Sequence, residues 1–274
     1  MTATIARTAR IIAAVRGISM RRIGSLGRAE ALLLQRNPLA LINAVVLPIM
    51  MVLFFRTAAP MSDGNTGASI VASLTAFTLL LVVYYNLVPA LVARREEFVL
   101  KRLRTGELTD GEILIGTALP AVTLAWAQIL VGTIAAAAVF GLGMPTNAIL
   151  VVAAVVLGTP LFVLLAAAST AMTRNVEMAQ VTTAPVLIVP LLFSGLLFSV
   201  HNFPGPVQLL AQAMPLTPVV DLLHLGLTGT TRSGASVGLA GSFAPAVIPV
   251  LTLAAWVLAA GWAARRWLRW EPRR

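Results

Sequence analysis

Charged and polar residues fall in clusters along this chain, and the intervals between the clusters are long and apolar. Residues 38–55, 68–93, 113–142, 147–173, 178–200 and 244–264 hold no Asp, Glu, Lys, Arg or His. A helix needs about 20 apolar residues to cross roughly 30 Å of hydrocarbon. The six intervals therefore predict six transmembrane helices. The third is the longest and contains Pro120, so tilt, a kink or an extension beyond the bilayer is expected. A seventh apolar region, residues 203–227, is cut by Pro204, Pro206, Pro215 and Pro218. Its pieces are too short to span, which predicts a re-entrant or interfacial helical hairpin whose backbone is shielded by protein.

Local signals mark several helix ends. Asn37 before Pro38 makes a cap and first-turn pair for the first span. Thr109 and Glu112 have capping-box spacing, which starts a helix near Thr109. Between residues 3 and 36, Arg7, Arg10, Arg21, Arg22 and Arg28 alternate with Ile5, Ile11, Ile12, Val15, Ile18 and Leu26. Part of this stretch reads as an amphipathic helix along the membrane surface, broken near Gly24 and Gly27; the alternative is a basic tail held only by lipid charge. The apolar residues Ile11 to Val15 are interrupted by Arg16 and lack a small-residue cleavage site, so a removable signal peptide is not expected. Three regions result: a cytoplasmic and interfacial segment over residues 1–37, a six-span domain over 38–264, and a basic tail over 265–274.

Composition sharpens the class. Of the 274 residues, 58% are apolar and 11% charged, against about 45–50% and 25% in soluble domains, so a water-soluble fold is excluded. Arg outnumbers Lys 19 to 1 and the net charge is +10. Eighteen of the 20 basic residues fall on one side of the predicted spans, and only Arg56 and Arg232 on the other. The positive-inside rule then places both termini in the cytoplasm. Trp262, Trp267 and Trp270 interleave with the last arginines as an interfacial anchor, and this position after a span assigns the basic excess to lipid and topology rather than to nucleic acid. The Arg-over-Lys bias with abundant Ala points to a high-GC bacterial genome and a bacterial cell membrane.

The inventory of chemistry is poor. Cysteine is absent, which removes disulfides, thiolate metal sites and a cysteine nucleophile. His201 and His224 are separated by 22 residues, with one nearby carboxylate, Asp221, short of a metal or catalytic set. The single lysine, Lys101, follows Glu96, Glu97, Phe98, Val99 and Leu100 instead of the glycine pattern of a P-loop, so no ATP hydrolysis is expected from this chain. No span carries an ionisable residue, which weighs against an ion-coupled carrier. Two competing readings stay open: an ATP-independent secondary transporter or channel, and an integral membrane enzyme acting on lipid through His201 or Asp221.

One dense charged constellation is present. Residues 94–112 hold Arg94, Arg95, Glu96, Glu97, Lys101, Arg102, Arg104, Glu107, Asp110 and Glu112. Glu97 and Lys101 are four apart in the favourable order, and Phe98, Leu100 and Leu103 form an apolar ridge. A short amphipathic helix ended by Gly106 fits insertion into a partner's groove; a solvated loop that only fixes topology is the alternative.

These residues carry a resemblance. Arg95-Glu96-Glu97, then Leu100-Lys101-Arg102-Leu103-Arg104-Thr105, then Glu112-Ile113-Leu114 resemble the cytoplasmic signature of ABC-2 type membrane permeases. Phe193-Ser194-Gly195-Leu196-Leu197-Phe198, Asn202-Phe203-Pro204, Val207-Gln208 and Pro215-Leu216-Thr217-Pro218-Val219-Val220-Asp221 resemble the outer re-entrant hairpin of that family's drug-exporter branch, here residues 201–227. The chain departs from the family at Phe98-Val99, where Gly-Thr is common.

The resemblance implies an all-α polytopic membrane protein with six transmembrane helices, an N-terminal interfacial helix, a coupling helix after span two and an outer hairpin between spans five and six. It implies two permease chains, identical or related, on two copies of an ABC ATPase subunit. That subunit would hold ATP and Mg, this chain binding no cofactor or metal. ATPase contact falls to Glu96, Glu97, Lys101, Arg102, Leu103 and Arg104, and the outer hairpin is marked by Pro204, Pro215, Thr217, Pro218 and Asp221. Tyr84, Tyr85, Asn86, Trp126, Gln128, Phe193, Ser194 and Phe198 are candidate pathway residues for an amphiphilic drug-like, lipid or lipid-linked substrate, with helix packing or an interface belt as the alternative role of each.

Overall fold

The computed structural model describes residues 28, 38–58, 66–97, 109–196, 204–231 and 234–267. Their regular structure is helical apart from an isolated antiparallel bridge between Thr230 and Ser236. The helices are α1 (Pro38–Ala58), α2 (Thr66–Glu96), α3 (Asp110–Phe140), α4 (Ala148–Ser169), α5 (Val176–Phe193), α6 (Gly205–Ala213), α7 (Thr217–Thr228) and α8 (Phe243–Trp267). Five helices are long and apolar enough to cross a membrane, and six if α6 and α7 count as one bent span; the apolar stretch counted in α1 is Val45–Phe54. The protein is thus an all-α polytopic membrane protein. The N-terminal segment before Pro38, Arg28 apart, lies outside the described residues.

Several helix ends have a local reason. Thr109 caps α3 with the full capping box: its hydroxyl accepts from the Glu112 amide, and the Glu112 carboxylate accepts from the Thr109 amide at 2.7 Å and the Thr109 hydroxyl at 2.9 Å. Gly141, at φ 64°, ends the same helix in the left-handed conformation. At 31 residues α3 is about 46 Å long, more than a bilayer core, so tilt or overhang follows. Asn147 and Asn175 cap α4 and α5 through their side-chain oxygens. The fifth span ends earlier than its apolar sequence predicts. Gly195 takes φ 86°, a conformation that cannot continue an α-helix, so α5 stops at Phe193 and not near residue 200.

The centre of the bundle is α2. Of its most apolar window 67% is buried, against 17% for α5 and for the helix that ends at Trp267. It packs on α3, α4, α5 and α7. Between Thr78 and Tyr85 it widens into a π-helix, just before Pro89, which offers no amide to the preceding turn. Leu79, Leu80, Tyr84 and Leu87 of α2 meet Leu161 and Phe162 of α4 and Leu216, Val219, Leu222 and Leu223 at and within α7 in one apolar core.

In lipid there is no apolar surface to hide from water, so helices associate by close packing at small residues. A β-carbon at Gly158 would lie 3.1 Å from both Leu79 of α2 and Val219 of α7, and one at Gly226 would lie 2.9 Å from the Asn147 carbonyl oxygen.

The hairpin appears as α6 and α7, bent by 85°. The Thr217 hydroxyl donates to the Ala211 carbonyl at 2.6 Å across the bend, and Pro218 sits in the first turn of α7. The inner helix is not interfacial: most of α7 is buried against α2, α4 and α8, which gives its backbone the shield that membrane depth requires.

Candidate functional site

The basic segment that leaves α2 is held at its root by two arginines. Arg94 donates to the Thr117 hydroxyl of α3 at 2.9 Å. Arg95 is 1% exposed, and its guanidinium donates to the carbonyl of Thr170 at 2.9 Å, of Thr173 at 2.7 Å and of Arg174 at 2.9 Å. These oxygens stand at the C-terminal end of α4 and in the turn that follows, where the helix leaves carbonyls without intrahelical donors and its dipole is negative. The sequence places Arg95 in a segment that is either a docking helix or a solvated loop; the structure buries Arg95 itself, and its planar fork suits several acceptors at once.

The turn it reaches is itself braced. The Thr173 hydroxyl bonds the Thr182 hydroxyl of α5 at 2.7 Å, and Asn175 accepts from the Met178 amide at 3.0 Å. Arg174 and Glu177, on either side of that cap, are exposed.

Beyond Arg95, Glu96 closes α2 and Glu97 follows as its cap, its amide donating to the Ala93 carbonyl at 2.9 Å. Both carboxylates are on exposed residues. Lys101, Arg102, Leu103 and Arg104 lie outside the described residues, as do Phe98 and Gly106. The segment resumes at Thr109 with the capping box, whose Glu112 is fully buried. Two exposed acids thus follow one tied helix end, and a capped helix start lies thirteen residues after Glu96.

The candidate pathway residues do not form one lining. Tyr84 is fully buried and bonds the Ser169 hydroxyl at 3.0 Å, and Trp126 donates to the Thr159 hydroxyl at 3.0 Å. Both partners belong to α4, so these aromatics brace α4 from α2 and α3. Gln128 is buried, Tyr85 half-buried and Asn86 exposed. Phe193 is half-buried, and buried Ser194 donates to the Leu191 carbonyl at 2.9 Å. Phe198 lies outside the described residues. A half-open cavity of about 620 Å³ lies elsewhere, between the start of α3 and the end of α8. Asp110, Leu114, Ile115, Leu258, Trp262 and Arg265 are among its lining residues.

At the hairpin, Pro204 is exposed, Pro215, Thr217 and Pro218 are buried, and Asp221 and His224 are half-buried. His201 lies outside the described residues. Among the described residues, no group of three or more His, Asp or Glu side chains is placed to hold a metal ion. The end of the bundle where α4 begins has a knot that sequence reading missed. Asn147 is buried, caps α4, donates from its amide to the Gly226 carbonyl at 2.8 Å, and donates from its side chain to the Ser242 hydroxyl at 2.9 Å. Trp256 adds a bond from α8 to the Ala213 carbonyl at 2.7 Å. Trp262 and Trp267 meet edge to face, 5.5 Å between ring centres.

Residues 21–227 match the protein-family model described as ABC-2 type transporter. A search of curated proteins finds no match.

Proposed function

The chain belongs to the ABC-2 type transporter family and is a multi-pass membrane transport component, not itself catalytic; on that premise we propose that it is the permease half of an ATP-driven exporter. The segment over residues 94–112 docks on a separate ABC ATPase through Glu96, Glu97, Lys101, Arg102, Leu103 and Arg104, and two copies of that ATPase serve two permease chains. ATP and Mg sit in that partner. Both termini face the cytoplasm of a bacterial cell, and the substrate leaves outward as an amphiphilic drug-like, lipid or lipid-linked molecule.

The observation that carries this reading is the pair of exposed acids, Glu96 and Glu97, at the end of a helix whose neighbouring arginines are tied to α3 and α4. A docking segment must present charge outward while its root stays fixed to the spans. The absence of Asp, Glu, Lys, Arg and His from the six apolar intervals supports an amphiphilic cargo over a highly charged one. The apolar faces of α1 and α5, with Leu47, Met50, Phe54, Val181 and Ile188 exposed, support a second permease chain beside lipid.

The test is to express the chain with a P-loop ATPase of an ABC transporter from the same genome, to co-purify the two from membranes, and then to introduce Glu97→Arg. Charge reversal is expected to remove the ATPase from the purified complex and to abolish ATP-dependent flux in vesicles. Unchanged association and flux would overturn the assignment of residues 94–112, and flux without any ATPase would overturn the exporter reading.

A further inference from the structure

Arg95 is buried, permanently charged and not among the residues assigned to ATPase contact, yet it adjoins them. Its three acceptors are backbone carbonyls of Thr170, Thr173 and Arg174, at the junction of α4 and α5. That junction is stiff, because Thr173 also bonds Thr182, and Thr170 donates to the Ala167 carbonyl at 2.6 Å. One side chain therefore joins the peptide next to Glu96 and Glu97 to the ends of two spans.

We propose that Arg95 is a positioning residue that passes displacement of the ATPase-facing segment to the α4–α5 turn. The proposal rests on the reading of residues 94–112 as the coupling segment, and adds the path by which a push on Glu96 and Glu97 leaves α2. A flexible or apolar side chain at this point would let α2 slide against the turn, so that nucleotide closure would move the segment without moving α4 and α5. Partner and spans communicate only through a difference in contacts between two states. Three charge-assisted bonds to one turn fix the end of α2 to it, so a displacement of that end is carried to the turn.

The test uses the whole permease–ATPase complex in lipid nanodiscs. The chain has no native cysteine, so Met172→Cys, in the turn and 75% exposed, takes an environment-sensitive fluorophore alone. In the otherwise wild-type complex, trapping with ATP and vanadate is expected to shift its emission.

With Arg95→Met added, ATPase co-purification and basal ATP hydrolysis should persist while most of that shift is lost. Arg95→Lys keeps the buried charge but not the planar fork, and should restore part of the amplitude. A full shift in Arg95→Met, or loss of the ATPase from that variant while Arg95→Lys keeps it, would overturn the proposal. If Arg95→Met does not fold, the lysine variant decides: a full shift there overturns the proposal, and a reduced one supports it. An ATPase that fails to associate with the unsubstituted chain would overturn the coupling segment itself, a separate failure that takes this proposal with it.

Discussion

Gly226 stands where α7 passes the start of α4, and a β-carbon there would come within 2.8 Å of Val151 Cγ2, 2.9 Å of the Asn147 carbonyl oxygen and 3.0 Å of the Val151 amide nitrogen. Two of these neighbours are backbone, so the site cannot relax by a rotamer change. Gly226→Val is expected to destabilise the fold by about 1–3 kcal/mol, read as a lower midpoint of thermal unfolding in detergent; an unchanged midpoint would contradict the packing described. Residues differ in how much of this kind of role their sequence reveals. Thr109 and Glu112 are legible because their partners are each other, three positions apart. Arg95 is legible only as a charge, because its partners are carbonyl oxygens at least 75 positions away, and a backbone carbonyl carries no residue signature. Asn147 is hidden for the same reason: Gly226 and Ser242 lie far along the chain, and the cap alone does not announce the knot.

At the scale of elements, uncharged length locates the long helices to within a few residues, since a bilayer fixes how much apolar chain a span requires. Sequence misplaces the end of α5, where the φ of Gly195 outweighs an apolar run, and the π-helix in α2 is foretold only by the missing amide of Pro89 just after it. The prolines foretell the broken hairpin, but not that α7 is a core element. The two ends of α4 offer a direct check on orientation. Met172 follows its C-terminal end, and Leu239, next to the Asn147–Ser242 knot, belongs to the other; both are exposed. In intact cells a membrane-impermeant thiol reagent is expected to label Leu239→Cys and to spare Met172→Cys until the membrane is opened. The reverse pattern would invert the proposed topology.

For the whole molecule, burial is graded. Among the described residues α2 is the centre, while α1, α5 and α8 keep broad apolar surfaces exposed. The order of burial differs from the order of synthesis. Although α7 emerges before α8, its packing uses α2, α4 and α8 together, with Leu253 of α8 in the same apolar core. A ribosome that has released α7 but not α8 therefore presents the membrane with a short helix of twelve residues, too short to span and lacking one of its three walls. On this packing α7 gains its third wall only when α8 arrives. A chain stopped after residue 238 is expected to be degraded faster than the full chain in a pulse-chase experiment, and equal lifetimes would show that α7 is sheltered without α8. Because the bend leaves α7 too short to span alone, the arrival of α8 is expected to be a condition of stability, by which membrane proteases would tell a copy holding α8 from one stopped before it.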